Sequence, residues 1–244
     1  MVIPPPPPSG RSVGMKAWDA FLDFVDARSN DGWMFRGVGD RTFGLRPKVG
    51  RGDLVDLMGF VDELQERQVF ESFKRNAPLY LSRPCTTDWE WLALAQHHGL
   101  PTRLLDWTSN PLIAAFFAVT NIKNNDAAIY AVKIERSMIL TETEREGGPF
   151  KVQRVGFVSP SVASPRIASQ KGFFTIHHCP DKDWQAPDIE GNTFIIPSEG
   201  AFYFRDKLFS LGVDHTHIMP DLDGLCRTLA WQYERGFVHS FLDY

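Results

Sequence analysis

Cysteine is scarce in this chain of 244 residues: Cys85, Cys179 and Cys226 lie far apart, are odd in number and form no CxxC spacing. That excludes a disulfide framework or a structural zinc site as the organising device. Reduced thiols fit a cytoplasmic protein. Long apolar runs are lacking as well. None reaches the roughly 20 residues that span a bilayer. The longest, Leu112 to Val119, suits a buried helix, so no membrane role is expected. The N-terminus has no apolar signal-peptide core. Positive charge is not in excess, since the net charge is -4 and the pI about 6.0. A broad footprint on nucleic acid or membrane is therefore not expected, although a local basic patch is compatible with it. GxGxxG, P-loop, GxSxG and HExxH motifs are all missing, which removes the common signatures of dinucleotide, nucleotide, serine-hydrolase and zinc chemistry.

Aromatic side chains are abundant, with 19 Phe and 7 Trp, enough to fill a sizeable core. Pro4 to Pro8 form a five-proline run that favours a solvated polyproline II arm. Residues 1–15 are read as a disordered proline-rich arm and 16–244 as a single domain, because no linker or repeat interrupts the rest. Helical spacing marks Asp19 to Ala27 and a long helix from Leu54 to Asn76, with Leu57, Val61, Leu64, Gln68 and Phe73 near one face. It also marks Trp89 to His98, the stretch after Pro111, and Phe202 to Leu211. A last helix after Pro220 repeats Leu222, Leu225, Leu229 and Tyr233 along one stripe. Strands are predicted at Trp33 to Phe35, Arg103 to Asp106, Ala127 to Ile134, Arg166 to His177 and Thr193 to Ile196, with a loop over Thr141 to Phe150. Helices and strands mix without regular alternation, which argues for an α+β class with mixed, mostly antiparallel sheets flanked by helices.

Three places combine polar chemistry with core elements. In Phe35-Arg36-Gly37 an apolar strand ends in a planar fork of donors suited to phosphate or carboxylate. The following glycine admits a close backbone or ligand. The alternative for Arg36 is a structural ion pair with a carboxylate such as Asp106. In Asp106-Trp107-Thr108-Ser109-Asn110-Pro111 hydroxyls stand at the start of a buried helix, where free N–H groups favour an anion. The alternative there is simple helix capping. In Ser164 to Phe174, Arg166 and Gln170 approach an apolar strand broken by Gly172. The weaker candidates are His97-His98, which diverge as helical neighbours, and the histidines around Cys179, His215 and His217, which lack a fourth metal ligand.

These segments together resemble the FRG domain family, named for the Phe-Arg-Gly found at Phe35, Arg36 and Gly37. The resemblance continues through Leu94-Ala95-Gln96-His97-His98-Gly99-Leu100-Pro101-Thr102-Arg103-Leu104-Leu105-Asp106-Trp107-Thr108, then Asn110-Pro111 and Ala114 to Ala118. It runs on through Arg166-Ile167-Ala168, Gln170, Gly172, Phe173 and Pro220 to Leu225. The order of motifs is similar to that of ADP-ribosyltransferases of the Arg-Ser-Glu type. The resemblance therefore implies an ADP-ribosyltransferase-like core and NAD as a substrate, with no metal. It casts Arg36, Asp106 and Gln170 as catalytic. NAD contacts fall to Arg36, Gly37, Arg103, Trp107, Thr108, Ser109, Arg166 and Phe173, with Trp107, Phe173 and Phe174 available for stacking. The third block carries Gln170 where such enzymes carry glutamate, so the acid falls to Asp106, Glu199 or another residue. The activity implied is that of a toxin or antiphage-defence effector acting on a protein, RNA or DNA target, with an antitoxin or chaperone as partner. The alternatives are a non-catalytic nucleotide-binding or interaction module, and a nuclease or other hydrolase using Asp106, His97 and His98.

Overall fold

The computed structural model describes residues 8–81, 83, 85–120, 125–159 and 172–234. Six strands form one antiparallel sheet: β1 (Trp33–Val38), β2 (Leu104–Thr108), β3 (Ala127–Lys133), β4 (Gly156–Val158), β5 (Gly172–Ile176) and β6 (Thr193–Ile196), in the order β4-β5-β2-β1-β3-β6. The α+β class expected from the sequence is the one observed. The helices are α1 (Pro8–Asp26), α2 (Asp53–Met58), α3 (Glu63–Asn76), α4 (Asp88–His97) and α5 (Pro111–Thr120), then α6 (Glu142–Glu146), α7 (Ala201–Ser210), α8 (His215–Ile218) and α9 (Leu222–Glu234).

Pairing along the sheet is uneven, and this positions the site. β1 pairs with β3 through six residues, Trp33 to Val38, and β2 pairs with β5 through five, Leu104 to Thr108. Between β1 and β2 only Phe35 and Thr108 are partners. The sheet is thus two three-stranded halves, β4-β5-β2 and β1-β3-β6, joined at one residue pair.

Each half has its own cover. Phe35, Ile129, Ala131 and Ile196 pack under α5, α1 and α7, against Trp18, Phe21, Phe204 and Leu208. Leu104, Phe174 and Ile176 pack under α3 and α4, against Phe70, Trp89, Leu92 and Ala93. The opposite face buries Leu105, Trp107, Tyr130 and Val132 beneath Leu45, Trp184 and Ala186. Side chains alternate across a strand. Asp106 and Gly37 therefore belong to the helix side, and Arg36 to the side of Tyr130 and Trp107.

Five expectations shift. The arm boundary placed after residue 15 falls inside α1, which begins at Pro8, and Gly14 is buried there with its Cα close to Tyr203. The single long helix over 54–76 is two. Gly59 ends α2 in the left-handed conformation (φ 77°), and the Asp62 carboxylate caps α3 by accepting from the N–H groups of Leu64 and Gln65. The buried face of α3 carries Glu66 and Phe70, while Leu64 is exposed, because Glu66 is tied to Arg103. In α9 the Leu222, Leu225, Leu229 and Tyr233 stripe is exposed, and Gly224, Thr228 and Trp231 face inward. A Cβ on Gly224 would lie 1.9 Å from the Met219 carbonyl oxygen, and Thr228 accepts from Thr216, so the polar and small face is the one that fits. The polar stretch after Thr141 includes the short α6, closed by a Thr141–Glu144 capping box.

Candidate functional site

Where β1 and β2 part, a cavity of about 650 Å³ opens, in the range that holds small-molecule ligands. It is lined from β1 by Arg36 and Gly37, from β2 by Asp106 and Thr108, from α4 by Gln96 and His97, from α5 by Ala114 and Phe117, and from β5 by Phe173 and Phe174. The polar break noticed between two apolar segments of the sequence is thus the wall of a cleft.

Arg36 reaches across the parting. Its Nη1 donates to the Asp106 main-chain oxygen at 2.9 Å and lies 3.5 Å from Asp106 Oδ2. The Arg36 side chain is 14% exposed and that of Asp106 54%, so the carboxylate remains open to a ligand. Gln96 orients it further: Nε2 donates to Asp106 Oδ2 at 3.0 Å, and Oε1 accepts from Thr102 Oγ1 at 2.5 Å. Arg36 Nε is buried without a hydrogen-bond partner among the described residues. Burial pulls the Arg36 guanidinium below its ordinary pKa, and Asp106 opposes that pull.

Gly37 borders the cavity, yet its missing side chain serves the fold. A Cβ there would stand 1.8 Å from the Ala114 carbonyl oxygen and 2.8 Å from the Ala118 nitrogen. The glycine of the Phe-Arg-Gly triplet lets α5 lie against β1, so the close approach is by backbone and not by a ligand. Phe35 fills the core on the same face, which leaves Arg36 as the member that enters the cleft.

Arg103 is not at the cavity. It is 2% exposed and forked onto Glu66, with Nη2 to Oε2 at 2.6 Å and Nε to Oε1 at 3.0 Å. Glu63 and the ring of Phe150 complete its surroundings. A buried cation needs such partners, and Arg103 is absent from the cavity lining where NAD would bind. Trp107 is on the cavity wall, but it is buried: its indole packs beside Phe157 and Trp184 and donates to Thr175 Oγ1 at 3.0 Å, and the other rings on the wall include Phe173, Phe174 and Phe117. Ser109 is exposed and outside the cavity lining. Thr108 Oγ1 accepts from the N–H of Asn110, and Asn110 Oδ1 from that of Leu112, so Asn110 is the cap of α5. Glu199 is exposed in the turn before α7, away from the cavity. Arg166 and Gln170 lie outside the described residues.

His97 lines the cavity while His98 does not, and their rings stand at 90°. Among the described residues no group of three His, Cys, Asp or Glu side chains is arranged to hold a metal ion. His177 is a core residue. An indole N–H only donates, so Thr175 accepts from Trp107, and its hydroxyl also shares a hydrogen bond with His177 Nε2, 2.9 Å away. Burial first, then the charges of Arg36 and His178, push His177 down to about 3.

One wall residue was not foreseen. Arg51 lines the cavity, and its Nε, like that of Arg36, is buried without a partner among the described residues. The local signal was Gly50-Arg51-Gly52, an arginine between two backbone-permissive residues.

Residues 31–127 match the family model described as the FRG domain. That stretch is similar to the FRG domain family. No curated protein and no solved structure matches it. The FRG match runs from just before β1 to the first residue of β3, and it contains Arg36, Arg51, Gln96, His97, Asp106, Thr108 and Phe117. The cavity is therefore built mainly within the FRG segment, with Phe173 and Phe174 added from β5. No helix among the described residues is long and apolar enough to cross a membrane.

Proposed function

We propose that this protein is an NAD-dependent ADP-ribosyltransferase and that NAD binds in the cleft between β1 and β2. The observation that carries the reading is the parting of the sheet, with Arg36 half-buried at its edge and an open carboxylate, Asp106, facing it. In the reaction the bond from the ribose anomeric carbon to the nicotinamide nitrogen breaks, and an acceptor nucleophile bonds to that carbon and loses its proton. Positive charge builds on the sugar as the neutral nicotinamide leaves. A carboxylate fixed beforehand stabilises such charge without reorganising. Asp106, held by Gln96 at 3.0 Å, has the chemistry for this. Arg36 has the planar fork for the phosphate or ribose oxygens, and Phe173, Phe174 and Phe117 offer ring faces for the nicotinamide. The resemblance to Arg-Ser-Glu transferases and the sequence order Arg36, Thr108-Ser109, Gln170 support the same assignment.

A protein or nucleic-acid acceptor, a cytoplasmic setting and an antitoxin-like partner follow from that reading. Incubation with labelled NAD, cell-lysate protein, RNA and DNA tests it. Transfer of label with release of nicotinamide, lost in Arg36→Ala, is expected. Absence of both from the wild-type chain overturns the transferase.

A second reading is a nucleotide-binding module without turnover. It draws on the double engagement of Asp106 by Arg36 and Gln96, and on Gln170 standing where transferases of this type carry glutamate. Calorimetry with ADP-ribose separates the two, since binding without nicotinamide release selects the module.

A further inference from the structure

The cavity holds two guanidinium groups but one facing carboxylate. Asp106 approaches Arg36. Among the described residues no carboxylate forms an ion pair with Arg51. Asp183, the acid whose charge is felt there, is bound by Arg46 through Nε at 3.2 Å and Nη2 at 3.1 Å. Asp40, also on the cavity wall, spends its oxygens on Thr42 and Asn125. Arg51 contributes one hydrogen bond of its own, from Nη2 to the Arg46 main-chain oxygen. Its guanidinium lies 5.3 Å from the Phe43 ring centre, and its Nε is buried with no hydrogen-bond partner among the described residues. Burial, followed by the neighbouring charge of Arg36, pulls it down to about 10. Arg51 as a whole is half-buried, and a buried donor atom left without a partner is costly.

The backbone is nonetheless shaped to keep it there. A Cβ on Gly50 would sit 1.6 Å from the Pro180 carbonyl oxygen, so that glycine fits a chain crossing no other residue tolerates. Gly52 has φ +113°, a conformation suited to glycine. Val49 N–H donates to the Thr102 oxygen at 3.3 Å, fastening the loop to the segment that leads into β2.

We propose that Arg51 is a phosphate-binding residue and that, with Arg36, it forms a two-arginine clamp for the diphosphate of a nucleotide. The clamp follows from the two unpartnered donors and the missing second anion. That the ester is a nucleotide rests on the transferase reading above. A diphosphate offers acceptor oxygens to both planar forks and supplies the negative charge the cavity lacks. The rings of Phe43, Phe117 and Phe173 give the apolar wall that a base or nicotinamide needs.

Calorimetric titration of the full chain with inorganic pyrophosphate, ADP and adenosine tests the clamp, using wild type, Arg51→Gln and Arg51→Lys. Pyrophosphate and ADP affinity should fall at least about tenfold in Arg51→Gln and several-fold in Arg51→Lys, with adenosine changed less than twofold. The thermal midpoint of Arg51→Gln should not fall below wild type, because a half-buried charge with no ion-pair partner among the described residues has been removed. Arg51→Lys keeps the test open if the glutamine variant fails to fold. Unchanged pyrophosphate affinity in both variants overturns the clamp, as does a wild-type chain that binds neither pyrophosphate nor ADP. Labelled-NAD transfer is read in parallel. A working clamp without transfer sinks the transferase and keeps the clamp. Transfer with an unchanged KM for NAD in Arg51→Gln does the reverse.

Discussion

Arg36 Nη1 donates to the main-chain oxygen of Asp106 at 2.9 Å and stands 3.5 Å from its Oδ2, bridging the two halves of a sheet that otherwise meet only at Phe35 and Thr108. The stronger of the two contacts is to backbone, which any residue at position 106 retains. Arg36 therefore keeps its place when the carboxylate is altered, and the two side chains can be tested separately.

Asp106→Asn should bind ADP-ribose within a few-fold of wild type, since the contact to the carbonyl is unaffected. Label transfer from NAD should fall by about 100-fold or more, the usual scale for removing a group that stabilises transition-state charge. Equal transfer by wild type and Asp106→Asn removes Asp106 from the chemistry.

Gly37→Ala should destabilise the protein by about 3 kcal/mol or more, by forced overpacking. The added methyl would stand 1.8 Å from the Ala114 carbonyl oxygen, a backbone atom that can move only if α5 moves. Urea unfolding measures the loss. A midpoint within error of wild type means that α5 shifts freely and that the glycine has another purpose.

Five of the six strands were legible because their apolar runs are short and bounded by Gly, Pro and Asn, whereas β4, only Gly156–Val158, was too short to be read. The polar stretch from Arg103 to Asn110 was legible because polar groups between core elements require partners. What those partners are was not. Arg103 and Asp106 are three residues apart and equally polar, yet one meets Glu66 under α3 and the other faces the cleft. The choice depends on a helix 37 residues earlier in the chain, whose buried side carries a glutamate that hydrophobic periodicity counts as solvent-facing. The α9 stripe failed for a related reason. Packing there is set by Gly224 and Thr228, whose small size and hydroxyl matter more than the leucines beside them. Arg51 was hidden because its loop is shaped by Pro180, far along the chain.

Arg103→Met should cost about 3–5 kcal/mol, because Glu66 is left charged and buried. The double variant Arg103→Met with Glu66→Leu should recover most of that, as an apolar pair fills the same space. Ligand affinity in the double variant should match wild type, since Arg103 faces away from the cavity. Unfolding free energies of the single and double variants, with ADP-ribose titrations, check both halves. A selective loss of ADP-ribose affinity in the folded double variant returns Arg103 to the binding site.

His177 should make the fold acid-sensitive well above the pH at which carboxylates titrate. In the unfolded chain imidazole titrates near 6.5, whereas in the fold His177 is held down to about 3. Between those values the unfolded chain binds more protons, so stability rises with pH. The neutral core histidine carries no penalty above pH 6.5. As pH falls from 6.5 towards 3, the penalty grows to roughly 4 kcal/mol. His177→Gln keeps a polar partner for the Thr175 hydroxyl but has no proton to gain. It should lower stability modestly at pH 7.5 and flatten the decline between pH 6.5 and 4. Urea midpoints for both proteins across that range decide the matter, and parallel curves assign the acid sensitivity to other groups.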